Sequence, residues 1–599
     1  MTFFSNYNST FVQLVGGKNE AAKAAMFISG EHRFNKTNEQ LREIQGTPYT
    51  AYWASDVVLS AFKKSHLVGD VSEPRVGMAT ANNDRFIRLW FEVNRNKFGI
   101  NISSRKEAVE SRKKWFPFAK GGEQRKWYGN NDTVVNWEND GFEIQNFKDE
   151  KTGRIRSHNY NLDYIFSSAL TWTVIGTEKT SFRFCPVGFL YSNSGYGLFC
   201  NNEKTKYYLL GFMNSKIAAS LLKILSPSMG FESGYLRKLP LIESDSLDSI
   251  VERVKHCIDG SNAEWDSFEV SWDFKKHPLL RNVSTISEAF TQWQTECDAR
   301  FNQLKVNEEE LNRIFIDIYG LQDELTQEVE DKDVTVRKAD LQRDIKSLLS
   351  YAVGCMFGRY SLDVEGLAYA GGEWDSSKYQ SYIPDADNVI PITDEEYLDD
   401  DIVSRLCAWL KAVYGADTLE ANLDYIAKAL GNKGSTSREI IRNYFLNDFF
   451  KDHCQTYSVT GSGKRPIYWL FDSGKQNSFK ALVYLHRYTP DTIGNLRIDY
   501  LHKMQRIYES EINRMQDMMD HSENAREVAA ASKRKDKLAK QLKECREYDE
   551  KISHLALSRI ELDLDDGVKV NYRKLQTAQD GKFYEVLADS KNIMVKEKK

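Results

Sequence analysis

The fold of this chain is decided by the stretch Lys114–Trp137, which reads KWFPFAKGGEQRKWYGNNDTVVNW. It lies in a region of strands and loops that extends to about residue 205 and is rich in Gly, Asn and aromatic residues. Two further segments of this region, Thr171–Gly176 and Ser181–Phe184, have the β-branched and aromatic composition of strands. A helix is expected near residues 55–65, and 1–45 has mixed strand and short-helix patterns. The sequence therefore predicts a mixed α/β domain around the opening stretch.

The remainder of the chain is predicted to be mainly helical. Tyr207–Leu225 is expected to form one helix, because apolar residues recur along it at three- and four-residue spacing, and Ser226–Gly230 is expected to end it. Similar stripes predict helices through most of 246–360 and 400–450, whereas 361–395 has a loop-rich composition. Strand-like runs occupy 456–489, and 499–557 has the pattern of two helices in an antiparallel hairpin.

These patterns predict an α+β chain with a mixed α/β domain, mainly helical spacer domains and a C-terminal antiparallel helical hairpin. A length of 599 residues is too great for one hydrophobic core. The expected divisions are a connector 1–44, the mixed domain 45–245, a helical spacer 246–360, a mixed α/β domain 361–495, the hairpin 496–560 and a tail 561–599.

Charge is distributed unevenly along the chain. The whole sequence has a formal net charge of −5, but residues 1–240 contain 32 basic and 22 acidic residues, a net charge of +10. The remainder is therefore at −15. The segment Arg85–Tyr128 is the most basic, with 12 basic and 4 acidic residues. This asymmetry indicates an anion-binding face in the first part of the chain.

Compartment and membrane association can also be read from the composition. No apolar run approaches the roughly 18 residues that a membrane span requires, and the first residues have no signal-peptide pattern. The eight cysteines include no CxxC pair, which favours a reducing compartment over a disulfide framework. We therefore expect a cytoplasmic protein that does not associate with membranes.

Several motifs of enzyme sites are incomplete or absent. Thr460–Arg465 (TGSGKR) resembles a phosphate loop but lacks the first Gly and the Ser/Thr after Lys, so a glycine turn is the better interpretation. HExxH, GxSxG and a helix-opening GxGxxG are all missing. Pro384-Asp385 is not followed by the Glu-x-Lys of nuclease sites, and no His or Cys pairs have metal-ligand spacing. We predict no catalytic residue and no metal site.

The basic segment has the residue types that recognise nucleic acid. Lys and Arg neutralise phosphates, glycine loops allow close approach of backbone N–H groups, and Asn, Gln and Arg can read purine edges. The DNA-binding candidates here are Arg85, Arg88, Lys113, Lys114, Lys120, Gly121, Gly122, Arg125 and Lys126. The candidates for reading or stacking on bases are Asn82, Asn83, Trp127, Tyr128, Asn130 and Asn131. Trp127 and Tyr128 are better explained as side chains that hold the loop against the domain core.

The same residues carry a family resemblance. The chain resembles the second half of the PglX family, the adenine-specific DNA methyltransferases of type 1 BREX phage-defence systems. The matching stretches run nearly from end to end: Gly77–Trp90, Lys114–Trp137, Tyr351–Tyr360 (YAVGCMFGRY), Val459–Tyr468 (VTGSGKRPIY), His486–Leu496 and Asp565–Tyr572 (DDGVKVNY).

A wider resemblance concerns the target-recognition domains of restriction-modification enzymes. Leu209–Lys216 and Tyr235–Leu241 are similar to segments of type I specificity subunits and fused type II enzymes, and Leu311–Leu321 is similar to a helix of the same enzymes. The resemblance implies that 45–245 is a DNA target-recognition domain. It adds Lys216, Arg237 and Lys238 to the DNA-binding candidates.

The chain departs from the family in its catalytic motifs. Family members bind S-adenosylmethionine with a DPACGSG-type motif and hold the extruded adenine with an NPPY-type motif. This sequence contains no Pro-Pro dipeptide, so NPPY is absent, and no comparable glycine motif follows a strand. We therefore expect the chain to begin after the catalytic domain, to bind no cofactor, and to be inactive alone. S-adenosylmethionine would bind the separate catalytic half.

Three interpretations remain open from the sequence. The first is the DNA-binding specificity half of an adenine-N6 methyltransferase, whose partners would be double-stranded DNA, a catalytic half and other BREX proteins of the antiviral system. The second is an enzyme of unrecognised chemistry, such as a nuclease-like defence effector. The third is a non-functional gene fragment.

Overall fold

The computed structural model describes residues 7–42, 51–174, 181–226, 230–431, 434–459 and 463–594. Helices and small sheets alternate in the first part of the chain, and helices dominate the second. The predicted α+β class is confirmed. The expected boundary between residues 44 and 45 lies outside the described residues, as do Ile175-Gly176, most of Ser226–Gly230, Thr460–Ser462 of the glycine turn, and the end of the tail.

The N-terminal segment is a small unit of strands and helices. Strand Asn8–Val12 pairs antiparallel with Arg33–Thr37, and helix Glu20–Ser29 lies between them in sequence. Asn19 caps this helix by accepting a hydrogen bond from the backbone N–H of Ala22.

Two four-stranded sheets form the predicted recognition domain. The first has the strand order Leu190–Tyr191, Trp115–Ala119, Thr133–Asn136, Ile87–Leu89, and the second Glu73–Arg75, Gly195–Phe199, Ala169–Thr173, Phe182–Cys185. Neighbouring strands in both sheets pair antiparallel, except that Leu190–Tyr191 is parallel to Trp115–Ala119. The segments around Thr171 and Phe182 that were predicted to be strands are therefore neighbours in one sheet. The shorter helices of this region are Asn38–Arg42, Asp56–Lys64, Val68–Val71, Asn83–Phe86, Arg105–Glu110, Glu138–Gln145 and Ser233–Arg237.

The prediction of a single helix over Tyr207–Leu225 is wrong, because the structure has two helices in this region. Helix Glu203–Met213 ends at Asn214, whose side chain bonds both the N–H and the C=O of Phe182 in the neighbouring strand. Ser215 then caps helix Lys216–Leu225 through the N–H of Ala218, and the axes bend by 75°. These side-chain bonds compete with helix continuation. The three- and four-residue apolar spacing continues across the break because each of the two helices buries its own apolar residues.

Among the described residues, no single helix combines the length and apolar composition needed to cross a membrane, and only the bent pair just described would reach them if its two helices were joined.

Three helices make up the predicted spacer: Leu247–Trp265, Ile286–Tyr319 and Leu341–Met356. The 34-residue helix Ile286–Tyr319 is about 51 Å long at about 1.5 Å per residue. Its first half packs into a core shared with the C-terminal region, and its second half packs into a core shared with the recognition domain. This helix therefore joins the two main cores across the expected boundary at residue 245.

The C-terminal region combines a helical layer, a small sheet and the hairpin. Its helices are Ile402–Tyr414, Leu419–Leu430, Ser437–Asn447 and Phe449–Thr456, and its sheet has the order Ile390–Pro391, Lys480–Tyr484, Tyr468–Asp472. The hairpin pairs His502–His521 with Ala525–Ser558, as the periodicity predicts.

The segment expected to be a polar tail is instead part of the core. Helix Gly567–Lys574 buries Val568 and Tyr572, and Leu587 forms a bridge with Phe471 of the sheet. The polar composition of 561–599 concealed these few anchors. Because this segment also contacts the recognition domain, it brings residues near 565 beside residues near 90.

Candidate nucleic-acid interface

The loop between strands Trp115–Ala119 and Thr133–Asn136 is the centre of the candidate site. The two strands pair antiparallel, with Phe116 opposite Val135, so the loop leaves and re-enters one sheet. Gly121 and Gly122 have φ angles of +90° and +125°, which favour glycine. A Cβ on Gly121 would lie 3.0 Å from the carbonyl oxygen of Ser194. The glycine pair therefore lets the loop lie close against the second sheet.

The inner half of this loop is buried, contrary to the prediction that its cations contact DNA. Arg125 donates to Glu264 at 2.5 Å and to the carbonyl oxygen of Tyr128 at 2.6 Å, while Lys126 Nζ lies 2.8 Å from Glu308. A buried cation needs a carboxylate partner because desolvation is costly. Arg125 and Lys126 thus anchor the loop, and their cations are paired with carboxylates inside the protein instead of facing DNA.

Three more predicted residues of this half face inward. Trp127 is 1% exposed and donates its indole N–H to Glu308, and Tyr128 is also buried. Both therefore hold the loop against the core, which is the interpretation preferred from the sequence. Asn131 is buried too, and its Nδ2 has no hydrogen-bond partner among the described residues. None of the three is available to read a base.

The outer half of the loop lines a cleft of about 840 Å³. Lys120, Gly121, Gly122 and Asn130 form one side of it. Asn130 lies at φ +59° and donates from Nδ2 to the carbonyl oxygen of Glu123 at 2.9 Å. The cleft has the volume of a ligand site rather than of a packing defect.

The opposite walls come from elements far along the chain. Residues beside and within helix Leu341–Met356 contribute the basic side chains Arg337, Arg343 and Lys346. The C-terminal region contributes a wall of polar and aromatic side chains: Tyr444, Phe449, Asp452, His453, Gln455, Thr456 and Ser458. These three cations were not among the predicted residues, although the run Arg337–Lys346 contains four basic residues and was a usable signal.

The cleft has mixed charge rather than a uniformly positive surface. Its lining cations are Lys120, Arg337, Arg343 and Lys346, and its lining carboxylates are Glu123, Asp132, Glu269, Asp340 and Asp452. Burial raises the pKa of Asp132 and of Glu269, which favours their neutral forms. Lys346 pairs with Asp452 at 2.9 Å, whereas within the described ranges the side chain of Lys120 forms no hydrogen bond or ion pair, and only its backbone oxygen accepts, from Ser194. Lys120 is the cation best placed to bind an incoming anion.

The predicted residues of 82–88 lie at the edge of this site. Asn82 caps helix Asn83–Phe86 through the N–H of Arg85, and the Oδ1 of Asn83 accepts from Thr80. Arg85 pairs with Glu143 at 2.7 Å. Arg88 donates from Nε to the backbone oxygen of Asp565 and stacks over Trp115. Only Asn83 and Arg88 of these line a pocket, which continues from the cleft at Lys120.

The remaining predicted cations do not converge on the cleft. Lys113 donates to the backbone oxygen of Asn96, Arg237 pairs with Glu73 at 2.6 Å, and Lys216 Nζ lies 3.4 Å from Thr326 Oγ1. Lys238 is half-buried in the turn after helix Ser233–Arg237. These positions line neither the cleft nor its adjoining pocket.

Lys114 is occupied by a carboxylate from the end of the chain. Asp565 accepts hydrogen bonds from Lys114 Nζ at 3.0 Å, Lys97 Nζ at 2.7 Å and the indole N–H of Trp115 at 2.9 Å. Burial alone would raise the pKa of Asp565, but these three donors outweigh it and hold the pKa below its ordinary value. Asp565 therefore neutralises part of the basic segment that was predicted to face DNA.

Across the described ranges, the structure brings together no group of three or more His, Cys, Asp or Glu side chains that could hold a metal ion.

Two known proteins are similar to this chain over nearly its whole length. The adenine-specific methyltransferase PglX of Lacticaseibacillus casei (strain Zhang) is 45% identical over 585 residues, covering 95% of this chain and 48% of that protein. The adenine-specific methyltransferase BrxX of Escherichia coli O9:H4 (strain HS) is 34% identical over 618 residues, covering 98% and 48%. No protein-family model matches the chain. The chain is therefore related by sequence to PglX-like adenine-specific methyltransferases, and it spans about half the length of these two relatives.

Proposed function

We propose that this chain is the DNA-recognition half of a PglX-like, site-specific adenine-N6 DNA methyltransferase. The observation that carries the proposal is the 840 Å³ cleft between the Gly121-Gly122 loop and the basic side chains of the helical region. The loop belongs to the part of the chain that resembles target-recognition domains. A cleft of this kind offers cations for phosphates and polar side chains for base edges.

The mixed charge of the cleft fits specific rather than purely electrostatic binding. Lys120, Arg343 and Lys346 would neutralise backbone phosphates, while Asn130 has both a donor and an acceptor for a base edge. Carboxylates such as Glu123 can accept from the amino group of cytosine and repel misplaced phosphates. These roles support a reader of short DNA sites.

Catalysis and the cofactor are assigned to the other half of such an enzyme. The sequence lacks the NPPY-type and cofactor-loop motifs, so we propose that S-adenosylmethionine binds a catalytic half with which this chain acts. Work in the cytoplasm within a BREX defence system, beside other BREX proteins, is part of the same proposal. It is supported by the family resemblance alone, since the names of the relatives state only an adenine-specific methyltransferase.

The experiment is equilibrium binding of a labelled duplex by the wild-type chain and by a Lys120→Gln/Lys346→Gln variant. Lys204→Gln is the matched control, because Lys204 is exposed and pairs with Asp248 outside the cleft. We expect binding by the wild type and the control, and a loss of about tenfold or more in the double variant. Equal affinity of all three proteins, or no duplex binding by the wild type, would contradict the proposal.

A further inference from the structure

A small pocket adjoins the cleft and collects four cations. Arg88 and Lys120 come from the predicted recognition domain, and Arg465 and Lys569 come from the C-terminal region. The pocket shares Leu89, Lys120 and Thr133 with the cleft, so the two spaces meet at Lys120. It measures about 60 Å³, several times the roughly 10–15 Å³ that admits one water molecule. The pocket therefore has room for a small anionic group.

The cations of the pocket are incompletely neutralised. Lys120 has no ion-pair partner within the described ranges, and Lys569 Nζ is 3.6 Å from an exposed carboxylate, that of Asp84. Arg88 uses Nε and Nη1 on backbone oxygens and leaves Nη2 without a hydrogen bond in the described chain. The four cations face three lining carboxylates, Asp84, Glu92 and Asp566, so the pocket keeps a formal net charge of +1 that a bound anion would neutralise.

The buried carboxylate of the pocket is already engaged. Glu92 is 2% exposed, accepts from the N–H of Leu89 at 3.0 Å and from the N–H of Val568 at 2.8 Å, and lies 3.4 Å from Arg465 Nε. These bonds fix the C-terminal segment against the recognition domain. Glu92 thus holds the two halves of the pocket together, and its charge also raises the pKa of Arg88, so it partly neutralises that cation.

Electrostatics within the pocket follow from this arrangement. Burial lowers the pKa of Lys120, and the nearby Arg465 and Lys569 lower it further, against the opposing effect of Asp132 and Asp84. Burial likewise lowers the pKa of Arg88, and Arg465 lowers it further, against the opposing effect of Glu92, Asp566 and Asp565. An anion in the pocket would favour the protonated form of both groups.

We infer that this composite pocket binds a phosphate group, and that Arg465 and Lys569 are phosphate-binding residues together with Arg88 and Lys120. Because the pocket opens at Lys120 into the cleft, the phosphate is one of the DNA backbone that lies there. This assignment of the source rests on the proposed function. It makes the C-terminal segment part of the DNA-binding surface, which the acidic balance of that half of the sequence would not suggest.

The test uses Lys569→Gln, because Lys569 is partly exposed and its loss leaves no buried charge unpaired. Arg465→Gln is a poorer first choice, since it would deprive the buried Glu92 of its cation. The matched control is Lys574→Gln on the same helix, which lies outside the pocket and is 4.0 Å from Asp566. A second variant, Lys120→Gln, removes a cation from the opposite side of the pocket.

Duplex affinity is measured over a range of salt concentrations for the four proteins. One lost phosphate contact should make the slope of log affinity against log salt shallower by roughly 0.9. We expect this change in Lys569→Gln and in Lys120→Gln, with no change in Lys574→Gln. A Lys569→Gln slope equal to the wild-type slope would remove the DNA backbone as the source of the phosphate.

Inorganic phosphate provides an arm that does not depend on DNA. At matched ionic strength against chloride, phosphate should raise the Tm of the wild type and of Lys574→Gln more than that of Lys569→Gln. If this difference is found but the wild type binds no duplex, the pocket stands as a site for free phosphate and the proposed function fails. If the wild type binds duplex but Lys569→Gln matches it in both arms, the proposed function stands and the pocket inference is overturned. If the wild type binds no duplex and phosphate gives no difference, both are overturned.

Discussion

Trp127 donates its indole N–H to Oε1 of Glu308 across 2.7 Å, although the two residues are 181 positions apart. The other oxygen of the same carboxylate lies 2.8 Å from Lys126 Nζ. One buried carboxylate of helix Ile286–Tyr319 therefore holds two consecutive residues of the loop. The inner half of the loop is fixed to the helical region, and only its outer half faces the cleft.

The first prediction concerns this anchor. Glu308→Gln keeps an acceptor for Trp127 but leaves the charge of Lys126 unpaired in a mostly buried position. Breaking such a pair from one side costs about 3–5 kcal/mol, so we expect a loss of that order in the free energy of unfolding. Urea denaturation measures it. Glu324→Gln, an exposed position after the same helix, should change stability by less than about 0.5 kcal/mol. Equal stability of the two variants would contradict the anchoring role.

A second prediction separates Lys120 from its neighbour Lys126. Lys120→Gln should weaken binding to all duplex sequences alike and make the salt slope shallower by roughly 0.9, as for a lost phosphate contact. Lys126→Gln should reduce stability but leave the salt slope of the folded protein unchanged, because its cation is buried against Glu308. Equal slope changes in the two variants would contradict this prediction, because they would show that Lys126 contacts phosphate as well as Lys120.

The third prediction is that the chain alone transfers no methyl group. It follows from the missing NPPY-type and cofactor-loop motifs, because an adenine amine needs a pocket that holds the extruded base. The measurement is transfer of a tritiated methyl group from S-adenosylmethionine to genomic DNA, with a full-length PglX-type enzyme as the positive control. Clear incorporation into adenine by the purified chain would contradict it.

Local patterns in the sequence predicted the elements better than their contacts. The apolar repeat from Leu538 to Leu555 was sufficient for the hairpin, because both helices bury that stripe. The break after Met213 was missed because it depends on Asn214 bonding to a strand that is about 30 residues away in sequence. Side-chain bonds of this kind depend on tertiary position and leave no periodic signal.

The site was predicted only in part, because its contacts also depend on tertiary position. Residue type identified the loop Lys120–Asn131 but could not show that Arg125 would pair with Glu264, or that Asp565 would cover Lys114. Both pairings join residues more than 130 positions apart. Lys569 was not predicted as an anion-binding residue, because its half of the chain has a net negative charge. Long-range ion pairs are set by packing, and a single sequence does not reveal them.

A fourth prediction uses the buried imidazole of His453. Its Nε2 accepts from the N–H groups of Ile467 at 3.1 Å and Tyr468 at 3.0 Å, and burial lowers its pKa to about 3. An unfolded histidine titrates near 6.5, so below that pH the unfolded chain binds the additional proton and the folded state loses stability. The loss is about 1.4 kcal/mol per pH unit.

The comparison is with His453→Asn, whose amide oxygen can accept the same N–H groups but does not titrate. The stability advantage of the wild type over this variant should shrink by about 1.4 kcal/mol per pH unit as the pH falls from 6.5 to 5. Urea denaturation at several pH values gives this difference directly. Because His277 and His486 are present in both proteins, their own lowered pKa values cancel. A difference that does not vary with pH would show that His453 titrates normally.

The last prediction concerns sequence choice by the loop. Asn130 is the base-reading candidate of the loop that lines the cleft, and its backbone is at φ +59°, which glycine adopts without strain. Asn130→Gly therefore removes the amide while it preserves the backbone. A good bidentate base contact is worth about 1–3 kcal/mol, so selectivity at one base pair should fall between roughly fivefold and a hundredfold. The measurement is sequencing of methylated sites after reconstitution with a catalytic half. Asn131→Ala is the control, because Asn131 is buried and should affect stability but not selectivity. If Asn130→Gly keeps the wild-type selectivity, the loop is not the reader. The segment Asn82–Arg88, which reaches the adjoining pocket through Asn83 and Arg88, would then be the next candidate.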